Sequence, residues 1–151
     1  MDPLIVLTAA DGSEDGLGDL FASQPDYWEL SGDSAGELFP VAEGCEAVVA
    51  HDAGGRLVAF AELLKAHPVS GHPWIGLLVV DGRLRGRGYG RAVAAAVEER
   101  FRIAGRTAVE LAVLENNPGA VAFWESVGYV EFDRRPDVDR HRPCIVMRKA
   151  L

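Results

Sequence analysis

Between positions 81 and 91 the chain reads Asp81-Gly82-Arg83-Leu84-Arg85-Gly86-Arg87-Gly88-Tyr89-Gly90-Arg91, and a strongly helical stretch follows. The first turn of a helix leaves amide N–H groups unpaired and carries partial positive charge. The guanidinium groups of Arg83, Arg85, Arg87 and Arg91 are unfavourable there unless something negative fills the space. Gly86, Gly88 and Gly90 remove side chains, so backbone amides can approach a phosphate closely. These residue types together describe a pyrophosphate cradle; a Gly/Arg turn that binds nothing is the plain alternative. Two other phosphate loops fit poorly. A Walker loop ends in Gly-Lys-Ser/Thr, whereas Gly90 is followed by Arg91-Ala92. A dinucleotide fingerprint follows its strand directly, whereas five residues separate Val80 from Gly86 and the third glycine arrives one place early.

The elements around this loop must hold it in place. Pro73 to Val80 is a nearly continuous apolar strand, as expected when both faces are covered. Arg91 to Ala104 is a helix with Val93, Val97 and Phe101 on one stripe and Gly105 as its stop. Upstream, Leu4–Thr8 reads as a strand, and Asp11–Gln24 and Pro25–Leu30 as helices, the second entered by Pro25. Cys45–His51 and Arg56–Ala66 are strands joined by the hairpin signal Asp52-Ala53-Gly54-Gly55. The segment from Gly32 to Gly44 is loop-like, with one helical turn near Ala35–Phe39. Downstream come a strand Thr107–Leu114, a helix Pro118–Val127 and two closing strands, Tyr129–Arg134 and Cys144–Lys149. The order β-α-α-β-β-β-α-β-α-β-β is that of a mixed α/β domain.

The chain has 151 residues, the length of one ordinary domain, and neither repeats nor low-complexity segments divide it. Its longest apolar runs fall far short of the roughly 20 residues that span a bilayer. Met1-Asp2-Pro3 lacks the basic start of a secretory signal, which predicts a cytoplasmic protein with no membrane partner. Cys45 and Cys144 stand singly in apolar segments, the pattern of buried thiols rather than of a disulfide or zinc site. Residues 1–65 hold 13 acids against 2 bases, and residues 66–151 hold 10 acids against 13 bases. A formal charge of −8 argues against a nucleic-acid surface, which needs a broad basic face. The segregation instead suggests an anion site beside an acidic surface that attracts a cation.

Arg85-Gly86-Arg87-Gly88-Tyr89-Gly90 resembles the Gln/Arg-x-x-Gly-x-Gly/Ala motif of the GNAT superfamily of acyl-CoA-dependent N-acyltransferases. A second block, Asn117-Pro118-Gly119-Ala120-Val121-Ala122-Phe123-Trp124-Glu125-Ser126-Val127-Gly128-Tyr129, is similar to that family's Asn-x-x-Ala-x-x-Phe-Tyr-x-x-x-Gly-Phe/Tyr segment. The resemblance implies a single α/β domain over residues 1–151, with a mixed sheet of six to seven strands flanked by helices. It also implies a splayed parallel pair formed by Trp74–Val80 and Thr107–Leu114. Acetyl-CoA is then the cosubstrate and a primary amine the acceptor, with no metal. Backbone groups of Leu78 and Val80, with Val79 between them, are expected along the pantetheine and acetyl group, a backbone N–H there stabilising the oxyanion. Arg85, Gly86, Arg87, Gly88, Tyr89, Gly90 and Arg91 are expected at the pyrophosphate, with Asn117 and Trp124 along the pantetheine arm. Asn117 also reads as an ordinary cap of the helix that starts at Pro118.

The sequence departs from that pattern twice. Trp124 stands where the family often has a tyrosine that protonates the departing thiolate, and an indole N–H gives up no proton. Ser126 and Tyr129 are the available substitutes. Some members also carry a basic glutamate where this chain has Trp74, which leaves Glu62 and His72, then His67 and Glu110, as candidate bases. Tyr27 and Trp28 sit where the family's early helices cover the acceptor site, and Trp74 joins them as an acceptor-contact candidate. The acidic N-terminal half suggests a cationic small-molecule or peptide amine. A module of the same fold that binds acyl-CoA without turnover is the alternative, and GNAT-like domains often pair as homodimers. Asp137-Val138-Asp139-Arg140-His141 alternates like metal ligands but reads as a solvated turn, and Cys144 has no paired histidine motif to make it a nucleophile.

Overall fold

A computed structural model describes residues 2–34, 36, 38–138 and 140–151. The strands are β1 (Ile5–Ala9), β2 (Cys45–Asp52), β3 (Leu57–Leu64), β4 (Trp74–Val80), β5 (Ala108–Leu114), β6 (Val130–Pro136) and β7 (Pro143–Ala150). The helices are α1 (Leu17–Ala22), α2 (Pro25–Ser31), α3 (Tyr89–Ile103) and α4 (Pro118–Ser126), with a 3-10 turn over Gly82–Leu84. One seven-stranded sheet runs in the order β1-β2-β3-β4-β5-β7-β6, and β4–β5 is the one parallel pair among the described residues. The expected mixed α/β architecture is therefore present, with every strand read from the sequence in it.

Local chemistry explains most boundaries. The Asp52–Arg56 hairpin closes because Asp52 Oδ1 accepts from the amides of Gly54 and Arg56 at 2.9 and 3.0 Å. Two expected helices change. The one expected from Asp11 begins only at Leu17, because Gly12 and Gly16 have φ of +97° and +86° and Asp11 turns back onto Ser13. The one expected from Arg91 begins at Tyr89, so Gly90 and Arg91 lie in its first turn. Gly90 leaves room there for the Phe123 ring, from which a Cβ would sit 3.1 Å. The turn expected near Ala35–Phe39 includes Ala35 and Glu37, which lie outside the described residues.

The sheet carries a core on each face. Val93, Val97 and Phe101 of α3 pack with Val58, Ala61, Ile75, Leu111, Trp124 and Met147 on one side. Leu20 and Phe21 of α1 pack with Val49, Phe60 and Val79 on the other. Each fully buried side chain of this kind contributes about 1.5–3 kcal/mol. Of the two free cysteines, Cys144 is buried but Cys45 only half-buried, which corrects the reading of two buried thiols.

Strand β4 is irregular where the site begins. Its register against β3 pairs Glu62 with Leu77 and Leu63 with Ile75, so Gly76 is an extra residue, a β-bulge. Ile75 consequently packs toward α3 while Leu77, two residues on, packs toward α1 and α2. Pairing with β5 covers only Trp74–Glu110 and Ile75–Leu111, after which the strands part. The paired end is fastened by Glu110, whose buried carboxylate accepts from Ser70 and from Arg148 Nε at 2.9 Å. Burial pushes this carboxyl upward, but the hydrogen bonds from Ser70 and Arg148 outweigh it and hold it below the usual range.

Candidate active site

The hydrogen-bonding parity of β4 determines what faces the gap. Asp81 N–H donates to the Val58 carbonyl at 2.9 Å, and the antiparallel register then gives Val79 and Leu77 the next bonds to β3. Leu78 and Val80 therefore turn their backbone N–H and C=O groups away from β3, toward the side from which β5 has departed. The Val80 carbonyl accepts there from Gln24 Nε2 at 2.7 Å. Peptide groups on an opened strand edge of this kind are pairing sites for an extended, amide-bearing ligand.

Three cavities meet around this edge. One of about 400 Å³ is lined by Gln24, Leu78, Val79, Val80, Arg85 and Asn117, among others. A second, of about 130 Å³, lies in the gap itself between β4, β5 and Trp124. The third, of about 350 Å³, opens on the α2 side, between Tyr27, Trp28, Glu62 and Leu77. Tyr27 lines all three.

At the start of α3, Gly86 and Gly88 have φ of +75° and +82°, which a side chain would strain. The first helical bond runs from the Ala92 N–H to the Gly88 carbonyl at 3.0 Å. The amides of Tyr89, Gly90 and Arg91 have no backbone partner among the described residues. A Cβ on Gly86 would meet nothing within 4 Å, so this turn has open space beside it.

The four arginines divide. Arg83 folds back on Asp81, with bonds of 2.9 and 2.7 Å, and Arg91 faces Asp2 at 3.4 Å. Arg87 is exposed and makes no ion pair among the described residues. Only Arg85 lines the large cavity, where its guanidinium donates to Gln24 Oε1 at 2.7 Å. The expected crowding of positive charge is thus relieved in part within the chain, by Asp81 and Asp2.

Asn117 Oδ1 accepts from the Ala120 amide at 3.2 Å, the expected helix cap, and the residue lines the two cavities along β4. Trp124 is buried against Phe123 and Tyr129, with ring centroids 5.0 Å from each. Its indole N–H has no hydrogen-bond partner among the described residues, and the side chain lines the gap between β4 and β5. The two substitute donors lie elsewhere. Tyr129 donates to Glu98 at 2.9 Å, and burial followed by the Glu98 charge raises its hydroxyl far above the ordinary range. Ser126 is exposed and donates to the Phe123 carbonyl at 2.6 Å.

The candidate bases also separate. Glu62 lines the 350 Å³ cavity, and burial raises its carboxyl above the usual value. His72 lies beyond the paired end of β4, close to Glu110, and six residues from Leu78 is about 20 Å along an extended chain. Trp74 is stacked on His67 at 4.2 Å and lines none of these cavities, while Tyr27 and Trp28 do line the Glu62 cavity. Burial, then Arg135, depresses the His67 ring. Asp137 accepts from Arg142 Nε at 2.6 Å, and Asp139 lies outside the described residues. Gln24, Gly76, Asp33, Arg140 and Arg142 border the cavities without having been singled out from the sequence. Of these only Gly76 carried a local signal, as a lone glycine inside an apolar strand.

The sequence matches the profile of the acetyltransferase (GNAT) family over residues 17–129. This chain belongs to the GNAT acetyltransferase family. No curated protein sequence matches it significantly. Its fold is similar to that of an IAA acetyltransferase from Bacillus cereus, with a TM-score of 0.71, 17% identity and 98% and 100% of the two chains covered. It is likewise similar to spermidine N-acetyltransferase from Vibrio cholerae, solved with CoA and spermine, at a TM-score of 0.67, 19% identity and 97% and 95% coverage. A GCN5-related N-acetyltransferase from Kribbella flavida gives 0.64, 24% identity and 97% and 98% coverage. No helix among the described residues is long and apolar enough to cross a membrane.

Proposed function

We propose that this chain is an acetyl-CoA-dependent N-acetyltransferase acting on a primary amine by direct attack. The observation that carries the reading is the opened edge of β4, where the peptide groups of Leu78 and Val80 face a gap flanked by two cavities. The coenzyme supplies an activated acetyl thioester when bound. The open turn at Gly86–Gly88, the unpartnered amides of α3 and Arg85 fit its pyrophosphate. Leu78 and Val80 would pair with the pantetheine amides, and a backbone N–H at this edge would hydrogen-bond the acetyl oxygen. Asn117 and Trp124 would line the arm.

The amine would enter from the cavity between Tyr27, Trp28 and Glu62. Glu62 is the base: of the two carboxylates lining that cavity, Asp33 is paired with Arg140 and Arg142, and the raised pKa of Glu62 makes it a better proton acceptor near neutral pH. No acid is needed for release, since a thiol of pKa near 8.5 is a tolerable leaving group. Orientation of the two substrates supplies most of the rate. Calorimetry with coenzyme A and thiol release across an amine panel test the reading together. Uptake of CoA and amine-dependent thiol release are expected; no uptake sinks it. The second reading, a binding module without turnover, is favoured by Trp124 in place of tyrosine and by the commitment of Tyr129 to Glu98. CoA uptake without thiol release from any amine would select it.

A further inference from the structure

The cavity beside Glu62 holds more charge than one base requires, and its balance bears on the acceptor. Asp33, Arg140 and Arg142 also line it. Arg142 donates to Asp33 at 3.1 Å, to Asp137 at 2.6 Å and to the Ser31 carbonyl at 2.6 Å. Arg140 pairs with Asp33 at 3.4 Å and donates to the Gly32 carbonyl at 2.7 Å. Among the described residues these two cations pair with these two anions. Glu62 makes no hydrogen bond or ion pair among the described residues, although it is half-buried. The remaining walls are the Tyr27 and Trp28 rings, 4.9 Å apart at their centroids, and the apolar side chains of Leu38 and Leu77.

Resting on the acetyltransfer reading above, we infer that the acceptor is a compact amine bearing a single positive charge, and that the Asp33–Arg142–Asp137 network excludes polyamines. One ammonium group satisfies the one lining carboxylate without a partner among the described residues. A second ammonium would stand before two guanidinium groups whose counter-anions are already engaged. A carboxylate on the acceptor meets the same obstacle in reverse, because Arg142 has its donors spent on Asp33, Asp137 and Ser31. The Tyr27 and Trp28 rings give an aromatic body behind the amine a surface to pack on.

The experiment compares kcat/KM for thiol release with phenethylamine, spermidine and the zwitterion phenylalanine. Phenethylamine is expected to exceed both others at least tenfold. Arg142→Gln uncovers Asp33 and Asp137 and should shift the phenethylamine-to-spermidine ratio toward spermidine by at least fivefold. Arg142→Lys keeps the charge and should leave the ratio within twofold of the starting chain. Spermidine or phenylalanine turned over as well as phenethylamine, or an Arg142→Gln ratio that does not move, overturns this inference alone. CoA uptake with no thiol release from any amine overturns the transferase reading, and this inference with it.

Discussion

The side-chain amide of Gln24 bridges two parts of the cleft that are far apart in sequence: its nitrogen donates to the Val80 carbonyl at 2.7 Å, and its oxygen accepts from Arg85 at 2.7 Å. Gln24 thus joins the end of the opened strand to the one arginine of the Gly/Arg loop that lines the large cavity. The adjoining Ser23 reinforces the link, since its Oγ accepts from the Gly82 amide at 2.9 Å. Gln24→Ala frees the Arg85 side chain and should weaken coenzyme A binding. One net hydrogen bond is worth about 1 kcal/mol, or roughly fivefold in Kd. Calorimetry on the variant checks it.

Gly82 lies so close to the α1–α2 junction that a Cβ would sit 2.2 Å from the Ser23 carbonyl oxygen. Backbone meets backbone here, and neither can rotate aside. Gly82→Ala should cost about 1–3 kcal/mol in urea unfolding, the usual range for overpacking. An unchanged midpoint would mean that the junction moves freely relative to the turn.

Glu62→Gln should lower kcat/KM by about 10²- to 10⁴-fold, the usual worth of general base catalysis. The starting chain should gain activity as pH rises through the raised carboxyl pKa, and the variant should lose that limb of the profile. The sign for stability is opposite to that for activity. A carboxyl whose folded pKa is raised stabilises the fold only while protonated, and that benefit disappears as pH rises above the folded value. At neutral pH the ionised side chain is a burden, so Glu62→Gln should melt at a higher temperature than the starting chain.

Glu110 behaves in the reverse sense. Its folded pKa is depressed, so its contribution is present above the unfolded value and fades as pH falls through the folded one. The stability difference between the starting chain and Glu110→Gln should therefore be large at pH 7 and shrink on acidification below about 4.5, the ordinary carboxylate value. Denaturant midpoints of both chains between pH 7 and pH 3 would show it.

Trp124→Tyr places a phenol in the wall of the gap. Turnover with a good amine should rise if release of the thiol limits the rate, while the smaller ring leaves a void beside Phe123 and Tyr129. A loss of about 1–2 kcal/mol in stability is expected from that void. Single-turnover kinetics and denaturant unfolding report the two effects separately.

What the sequence revealed was local. The glycines before α3 are a local signal, because Gly86 and Gly88 accept without strain the positive φ that this turn requires. Asn117 likewise shows its cap through Pro118 one residue on. Apolar runs bounded by turn residues gave the strands, and two motifs flanking β5 gave the family. Contacts between distant segments had no such signal. Nothing near Gln24 indicates Val80, and nothing near Arg142 indicates Ser31 and Asp33. Arg83 could have been excluded from the cradle, since Asp81 two residues earlier is a natural partner; Asp2 gave no such hint for Arg91. Trp74 and His72 were misplaced relative to Tyr27 and Glu62 because a residue's position along a strand becomes meaningful only when the separating end is known.

The bulge at Gly76 decides which end that is. Removing this residue would leave Ile75 and Leu77 on the faces they occupy now, since neighbours in a plain strand already alternate. β4 would then be free to run straight and continue zipping onto β5 beyond Leu111. The shortened protein would own a more regular sheet and no entrance for a guest. A single residue without a side chain thus stands at the point where the two strands part.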